Sequence, residues 1–213
     1  MPAPFYKKKG VLLSAFFAIS CLAVFAQTPK PDSAVITREQ RYAKVAPLLI
    51  FPLIKGSIMS GVLPVSDITN KVDPKTKMKL IFNFTRGTAN KAQGTHFNEG
   101  LEEIGRILNL HIAAGIKKEN LKAVIVFHSS ALLSVLTNEY YQKNYKSQNP
   151  NLDLLKQLQD AGVELVVCGQ SMGLRGFTKA DLLPGVQIAQ SALTTMSKYE
   201  AQGYIPFVIE EEK

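Results

Sequence analysis

Residues 162–171 read GVELVVCGQS, and this stretch decides the fold. Residues 163–167 form a short apolar run rich in valine, and such a run after a glycine predicts a buried β-strand. We expect residues 168–173 to form a loop, because Gly169 and Gly173 favour turns. The sequence therefore carries a thiol, Cys168, at the point where a buried strand ends.

Similar strands and helical patterns alternate on both sides of this stretch. Apolar residues at helical spacing predict a helix over 97–112, and further helices are expected after Ser130, from Pro150, over 179–183 and over 191–201. This alternation is typical of an α/β protein whose parallel sheet is covered on both faces. Pro206 makes the last strand an edge strand, since proline cannot donate to a ladder. The five strands are expected at residues 79–84, 123–127, 163–167, 186–189 and 204–208.

The first 26 residues have the features of a signal peptide. A basic cluster at residues 7–9 precedes an apolar run that is shorter than the roughly 20 residues a spanning helix needs, and small residues follow it. We expect cleavage after Ala26 and a periplasmic or secreted protein with no membrane span after cleavage. A lipoprotein attached through Cys21 is the less favoured alternative.

The rest of the chain divides into three parts. Residues 27–44 begin with polar residues and prolines, which predicts a flexible tether. Residues 45–78 are apolar but interrupted by prolines and glycines, which predicts an N-terminal arm of short extended pieces that packs on the domain or on a neighbouring subunit. Residues 79–213 form the α/β domain, which has an ordinary length for a single domain.

The charge of the chain gives no sign of nucleic-acid binding. The formal net charge is +8, but Lys7, Lys8 and Lys9 contribute to it and leave with the signal peptide. The remaining basic residues are scattered among acidic ones and form no basic face. We therefore expect no nucleic-acid partner.

Cys168 is the one cysteine outside the predicted signal peptide. A disulfide within the mature chain is therefore excluded, and the thiol is either buried and inert, paired with another molecule or used in chemistry. Ligands of open α/β sheets bind beyond the carboxyl ends of the strands, so Cys168 and His128 share one rim if their strands are adjacent. Backbone N–H groups and a nearby imidazolium would favour the thiolate there. A packing role is the alternative for both residues.

Neither a metal nor a cofactor is expected. His96 and His111 lack ligand-like spacing to each other or to Cys168. The sequence also lacks a phosphate-binding glycine loop, a CxxC pair and a nucleophile-elbow serine. We interpret Glu102 and Glu103 as the solvated face of the first long helix.

Several segments resemble the DsrE/DsrF-like family of sulfur-relay proteins. They are residues 123–128, 149–151 with the helix that follows, 162–171, 182–186 and 191–204. The resemblance implies a three-layer α/β/α fold with a five-stranded, mainly parallel sheet, and assembly into homotrimers or hexamers. It also implies that a cysteine accepts sulfane sulfur as a persulfide and passes it to a partner protein, and by position this is Cys168. The glycine usual in the family after the histidine of the second strand is Ser129 here.

Two functions follow as expectations. The leading one is an extracytoplasmic sulfur carrier or thiol-exchange protein that works with a sulfur donor or acceptor protein. Its reacting residues would be Cys168 and His128, and its binding residues would be Ser129, Gly169, Gln170, Ser171 and Asn83. The alternative is a non-enzymatic oligomeric module that binds a small ligand or a partner at the same rim, with Cys168 only packed.

Overall fold

The computed structural model describes residues 36–87 and 97–210 of the chain. The predicted signal peptide, Cys21, residues 27–35 of the predicted tether and His96 lie outside the described residues. Within the described ranges, no helix is long and apolar enough to cross a membrane.

The centre of the structure is a five-stranded parallel sheet with the strand order β4-β3-β2-β1-β5. The predicted five-stranded sheet is thus confirmed, and it is parallel throughout. Strand β5 lies at the edge, as Pro206 predicts, and pairs with β1 there. The strands are β1 (Met78–Phe84), β2 (Leu121–Phe127), β3 (Glu164–Cys168), β4 (Gln187–Ala189) and β5 (Ile205–Ile209).

Helices cover both faces of the sheet and produce the three predicted layers. The side chains of alternate strand residues point to opposite faces, so each strand contributes to two separate apolar clusters. The larger cluster joins Phe82, Ile125 and Leu165 to the helices of one face, and the smaller one joins Ile81, Val126 and Cys168 to the last helix. The helices are α1 (Arg38–Val45), α2 (Glu99–Ala113), α3 (Asn138–Tyr145), α4 (Leu152–Asp160), α5 (Gly169–Arg175) and α6 (Ala192–Glu200).

The N-terminal arm packs on α2 of its own chain. Ile54 is fully buried in the larger cluster, and it can approach because Gly105 has no side chain: a Cβ there would lie 3.0 Å from Ile54 Cγ2. The buried Asn109 side chain accepts from the N–H groups of Leu53 and Ile54 at 2.9 and 2.8 Å. It also donates to the carbonyl oxygens of Ile54 and Ser60 at 2.7 and 2.9 Å. One side chain thus satisfies four backbone groups of the arm.

Residues 38–44, the end of the predicted tether, are helical. Helix α1 begins with a capping box, in which Thr37 Oγ1 accepts from the N–H of Gln40 and the Gln40 side chain accepts from the N–H of Thr37. Arg38 then reaches Glu103 on α2 at 2.6 Å. These contacts link the start of the described chain to the domain.

Three helical segments differ from the prediction. Residues 168–173 were expected to be a loop, but helix α5 begins at Gly169. The segment after His128 is a 3-10 helix, Ser129–Val135, rather than an α-helix. Helix α4 begins at Leu152, not at Pro150, because Asn149 and Asn151 form a separate buried turn in which Asn149 Oδ1 accepts from the N–H of Asn151.

Candidate functional site

Cys168 is the last residue of β3 and the N-cap of α5. Its Sγ accepts a hydrogen bond from the N–H of Ser171 at 3.5 Å, which is the bond that serine or threonine makes in an ordinary N-cap. The residue is 5% exposed and belongs to the smaller apolar cluster. The structure therefore puts the thiol at the carboxyl end of a central strand, in contact with both the core and the rim.

Two opposing effects act on the thiol. Burial raises the pKa of Cys168, because it penalises the charged form. The N–H of Ser171, which bonds the sulfur, the Ser171 hydroxyl and the nearby backbone N–H groups of Ala192 and Gln170 outweigh burial and hold the pKa of Cys168 below its ordinary value. The surroundings of the sulfur thus favour thiolate, which is the nucleophilic form.

Ser171 and Ser129 connect the two strand ends. The N–H of Ser129, directly after His128, donates to Ser171 Oγ at 3.3 Å. Ser129 has a φ of 53°, in the left-handed region that favours glycine. A side chain at position 129 therefore costs energy, and the backbone N–H of Ser129 holds the Ser171 hydroxyl in place.

His128 lies at the same rim, because β2 and β3 are neighbours. Its Nε2 donates to Asn83 Oδ1 at 2.5 Å, so Asn83, at the end of β1, fixes the ring. Burial lowers the pKa of His128, which keeps the ring neutral at neutral pH. Within the described residues, the ring makes no hydrogen bond to the Cys168 sulfur. The lowered pKa and the bond to Asn83 thus favour a neutral imidazole over an imidazolium paired with the thiol.

Gly169 and Gln170 contribute through their backbones. A Cβ on Gly169 would lie 2.7 Å from the carbonyl oxygen of Ala189, so only glycine lets β4 come this close to the start of α5. The N–H of Gln170 faces Cys168, whereas its side chain donates to the carbonyl oxygen of Gln190 at 3.3 Å. The backbones of both residues thus shape the surroundings of the sulfur, whereas the side-chain amide of Gln170 points to the residue that follows β4.

A family model described as DsrE/DsrF-like matches residues 78–207, which is more than half of the chain. The chain belongs to the DsrE/DsrF-like family. This membership suggests a role of the sulfur-relay type, and the matched range contains all seven predicted site residues.

Two solved structures are similar to this DsrE/DsrF-like chain. One is a protein of unknown function, MTH1491, from Methanobacterium thermoautotrophicum, with 15% identity and a TM-score of 0.47 over 62% of this chain and 98% of the other. The second is the ychN protein from E. coli, with 17% identity and a TM-score of 0.37 over 63% of this chain and 99% of the other. No curated protein matches the chain.

Two features of the DsrE-like domain could not be predicted from the sequence. The N–H of Ala192, at the start of α6, helps to lower the pKa of Cys168, and it comes from a segment that is distant in sequence. The signal that could have indicated it is Ser191, which caps α6 by accepting from the N–H of Thr194 at 3.1 Å. The other feature is Glu102, interpreted from the sequence as solvated, which is buried beneath the arm.

The described residues offer no metal site. Among residues 36–87 and 97–210, no group of three His, Cys, Asp or Glu side chains converges. A cavity of about 680 Å³ opens on the side of α2 and α4, and Cys168 is not part of its lining. The thiol site and this cavity are therefore separate features.

Proposed function

We propose that this protein is an extracytoplasmic sulfur carrier in which Cys168 takes up sulfane sulfur as a persulfide and passes it to a partner protein. The observation that carries the proposal is the set of N–H and O–H donors around Cys168 Sγ, at the carboxyl end of β3 in a DsrE/DsrF-like domain. A thiolate held in place by fixed donors attacks sulfur better than a thiol does.

The transfer needs no oxidant. The Cys168 thiolate attacks the outer sulfur of a donor persulfide, a new S–S bond forms at Cys168, and the S–S bond of the donor breaks. The electron pair of the broken bond leaves with the donor as a thiolate, and the proton stays with the transferred sulfur or goes to water. Delivery to an acceptor thiolate is the same exchange in reverse.

The burial of Cys168 fits a carrier of one small group. The persulfide adds one S–S bond of about 2 Å, which moves the reactive sulfur outward from the core towards the rim. The Ser171 hydroxyl and the N–H groups of Gln170 and Ala192 would then hold the inner sulfur. The neutral His128 ring, oriented by Asn83, would have Nδ1 ready to accept a proton at the same rim.

The compartment is part of the proposal. The basic cluster and short apolar run of residues 1–26 support export and cleavage after Ala26. N-terminal sequencing of protein recovered from the periplasm or the medium should begin at Gln27, and an uncleaved chain in the cytoplasm would contradict the assignment.

Loading with glutathione persulfide tests the chemistry. The reduced protein should gain one sulfur atom per chain by intact mass, and peptide mapping should put that sulfur on Cys168. Cys168→Ser should gain none, and Ser171→Ala should load more slowly than wild type. A wild-type chain that stays unmodified at every donor concentration would overturn the proposal.

The alternative, a binding module with Cys168 only packed, draws support from the 5% exposure of this residue and its place in an apolar cluster. The same variant separates the two functions. Binding of a partner protein that survives Cys168→Ser unchanged, together with a wild-type thiol that resists loading, would favour the binding module.

A further inference from the structure

A groove of about 340 Å³ runs along β4, on the face of the sheet that α6 covers. Residues 187–190 form its strand side, and residues of α6 between Thr194 and Tyr199 form its helix side. The volume lies at the lower end of the roughly 300–1,000 Å³ typical of small-molecule sites. The groove is therefore large enough for a small ligand in an extended conformation.

The groove adjoins the thiol of Cys168. Ala189, in the wall of the groove, is the register partner of Cys168 in the β3–β4 pair. Val166 and Tyr199 also line the groove, and they belong to the same apolar cluster as Cys168. One end of the groove thus lies beside the reactive sulfur, so a molecule bound in the groove has a part close to Cys168.

The strand side of the groove suits a peptide. Strand β4 is at the edge of the sheet, and an edge strand presents backbone N–H and C=O groups to an added extended chain. Gln187, Gln190 and Thr194 add uncharged hydrogen-bonding groups to the lining. Ile188, which is 47% exposed, adds apolar surface between them. This combination matches a short peptide with peptide groups and small apolar parts.

The other end of the groove carries a positive charge. Of the described residues that line the groove, only Lys198 is charged. Lys198 follows Ala192 by six residues, and a rise of 1.5 Å per residue puts the two about 9 Å apart along α6. Glu164 contacts this end, but its carboxylate accepts from the Tyr199 hydroxyl at 2.8 Å and from the Gln187 side chain at 3.4 Å. Lys198 therefore lies about one extended tripeptide from the thiol.

We propose that this groove is the site of the sulfur donor, and that the donor is the persulfide of a small cysteine-containing peptide. The proposal rests on the carrier function proposed above. The peptide lies along β4, its carboxylate pairs with Lys198, and its outer sulfur meets Cys168. As the bond from Cys168 Sγ to that sulfur forms, the S–S bond of the donor breaks, and the electron pair leaves with the peptide as a thiolate. The proton stays with the transferred sulfur.

Loading of Cys168 by two donors tests the site. Glutathione persulfide is a tripeptide with carboxylates, whereas the persulfide of 2-mercaptoethanol has none. The measured quantity is the ratio of the two second-order loading rate constants, glutathione persulfide over 2-mercaptoethanol persulfide. Lys198→Gln should lower this ratio about threefold and Lys198→Glu should lower it further, because the first removes the charge partner and the second repels the carboxylate. Lys118→Gln and Lys118→Glu, at an exposed position outside the groove, are the matched controls and should keep the wild-type ratio.

Competition gives a second measurement on the same proteins. S-methylglutathione keeps the carboxylates but has no sulfur to transfer, so it should slow loading by glutathione persulfide in wild type and less so in Lys198→Glu. A chain that loads from both donors but keeps its ratio in Lys198→Glu, or that S-methylglutathione does not slow, would overturn the groove site and leave the carrier function standing. A wild-type chain that loads from neither donor would overturn both.

Discussion

At the scale of single residues, the pKa of Cys168 is set by the balance between burial and hydrogen bonding. The apolar cluster around it would by itself suppress ionisation, and the four donors from Ser171, Gln170 and Ala192 reverse that effect. These donors come from two helices that start at the same rim. The pKa of Cys168 is therefore lowered without a charged partner side chain.

Ser171→Ala should raise the pKa of Cys168, because it removes the hydroxyl donor while leaving the backbone donors in place. The rate of alkylation by iodoacetamide, measured against pH, should reach its midpoint at a higher pH in the variant than in wild type. Ser197→Ala, on the exposed side of α6, should leave the midpoint unchanged. An unchanged midpoint in Ser171→Ala would mean that the hydroxyl does not act on the sulfur.

The same ionisation links stability to pH. The folded-state pKa of Cys168 lies below its ordinary value, so thiolate formation adds stability above the unfolded-state pKa, and this gain is lost as the pH falls through the folded-state pKa. Denaturant unfolding across this range should show a smaller gain for Cys168→Ser than for wild type. A pH dependence identical in both proteins would contradict the lowered pKa.

Ser129→Gly should stabilise the domain by about 1 kcal/mol, because it relieves the left-handed backbone at φ 53°. Ser129→Ala keeps a Cβ in the same conformation and should give no such gain. Urea unfolding of the three proteins measures the differences in free energy. A loss of stability in Ser129→Gly would show that the serine side chain contributes more than the strain costs.

At the scale of elements, the arm and helix α2 form one unit through Asn109. Its side chain replaces the hydrogen bonds that the arm backbone would otherwise make in a strand or helix. The burial of Ile54 against Gly105 adds apolar contact at the same place. The arm is therefore held by a polar clamp beside a small apolar contact.

Asn109→Ala should destabilise the chain by about 3 kcal/mol, because four backbone groups of the arm lose their partners. Limited proteolysis should then cut within residues 45–66 before it cuts the sheet. Asn144→Ala removes one exposed bond to the carbonyl oxygen of Tyr140 and serves as the control. Equal protease resistance of the arm in Asn109→Ala and wild type would contradict this account.

The strands could be predicted from the sequence because buried parallel strands are continuous apolar runs bounded by glycine or proline. Helix α5 could not be predicted in this way. It has only seven residues, two of which are glycines, and its N-cap is a cysteine where serine or threonine is usual. Glu102 and Asn109 were also beyond sequence reasoning. Their burial depends on the arm, which lies far from them in sequence and shows no regular periodicity.

The positions of the predicted site residues in the fold could be read from the sequence only in part, for a similar reason. Strand order puts Asn83, His128 and Cys168 at one rim. The position after a predicted strand was enough to indicate His128 and Cys168, whereas Asn83 lies within the predicted strand 79–84. The hydrogen bond of His128 to Asn83 and the direction of the Gln170 side chain depend on local geometry that no spacing encodes.

At the scale of the whole molecule, the described chain exposes large apolar side chains at several places. Leu174 on α5 is 90% exposed and Leu193 on α6 is 80% exposed. We propose that the protein assembles into trimers or hexamers, which would remove part of this surface from water. Light scattering of the mature protein should give three or six times the mass of one chain, and a monomer at micromolar concentration would contradict the assembly.

The central claim is that Cys168 carries sulfur, and the state of this thiol in the native protein tests it most directly. Protein purified from its natural compartment without reductant should yield, by mass spectrometry, a Cys168 peptide heavier by one sulfur atom that reverts to the free thiol on reduction. A Cys168 thiol that is unmodified in native protein, and that also resists persulfide donors and alkylation after purification, would contradict the claim.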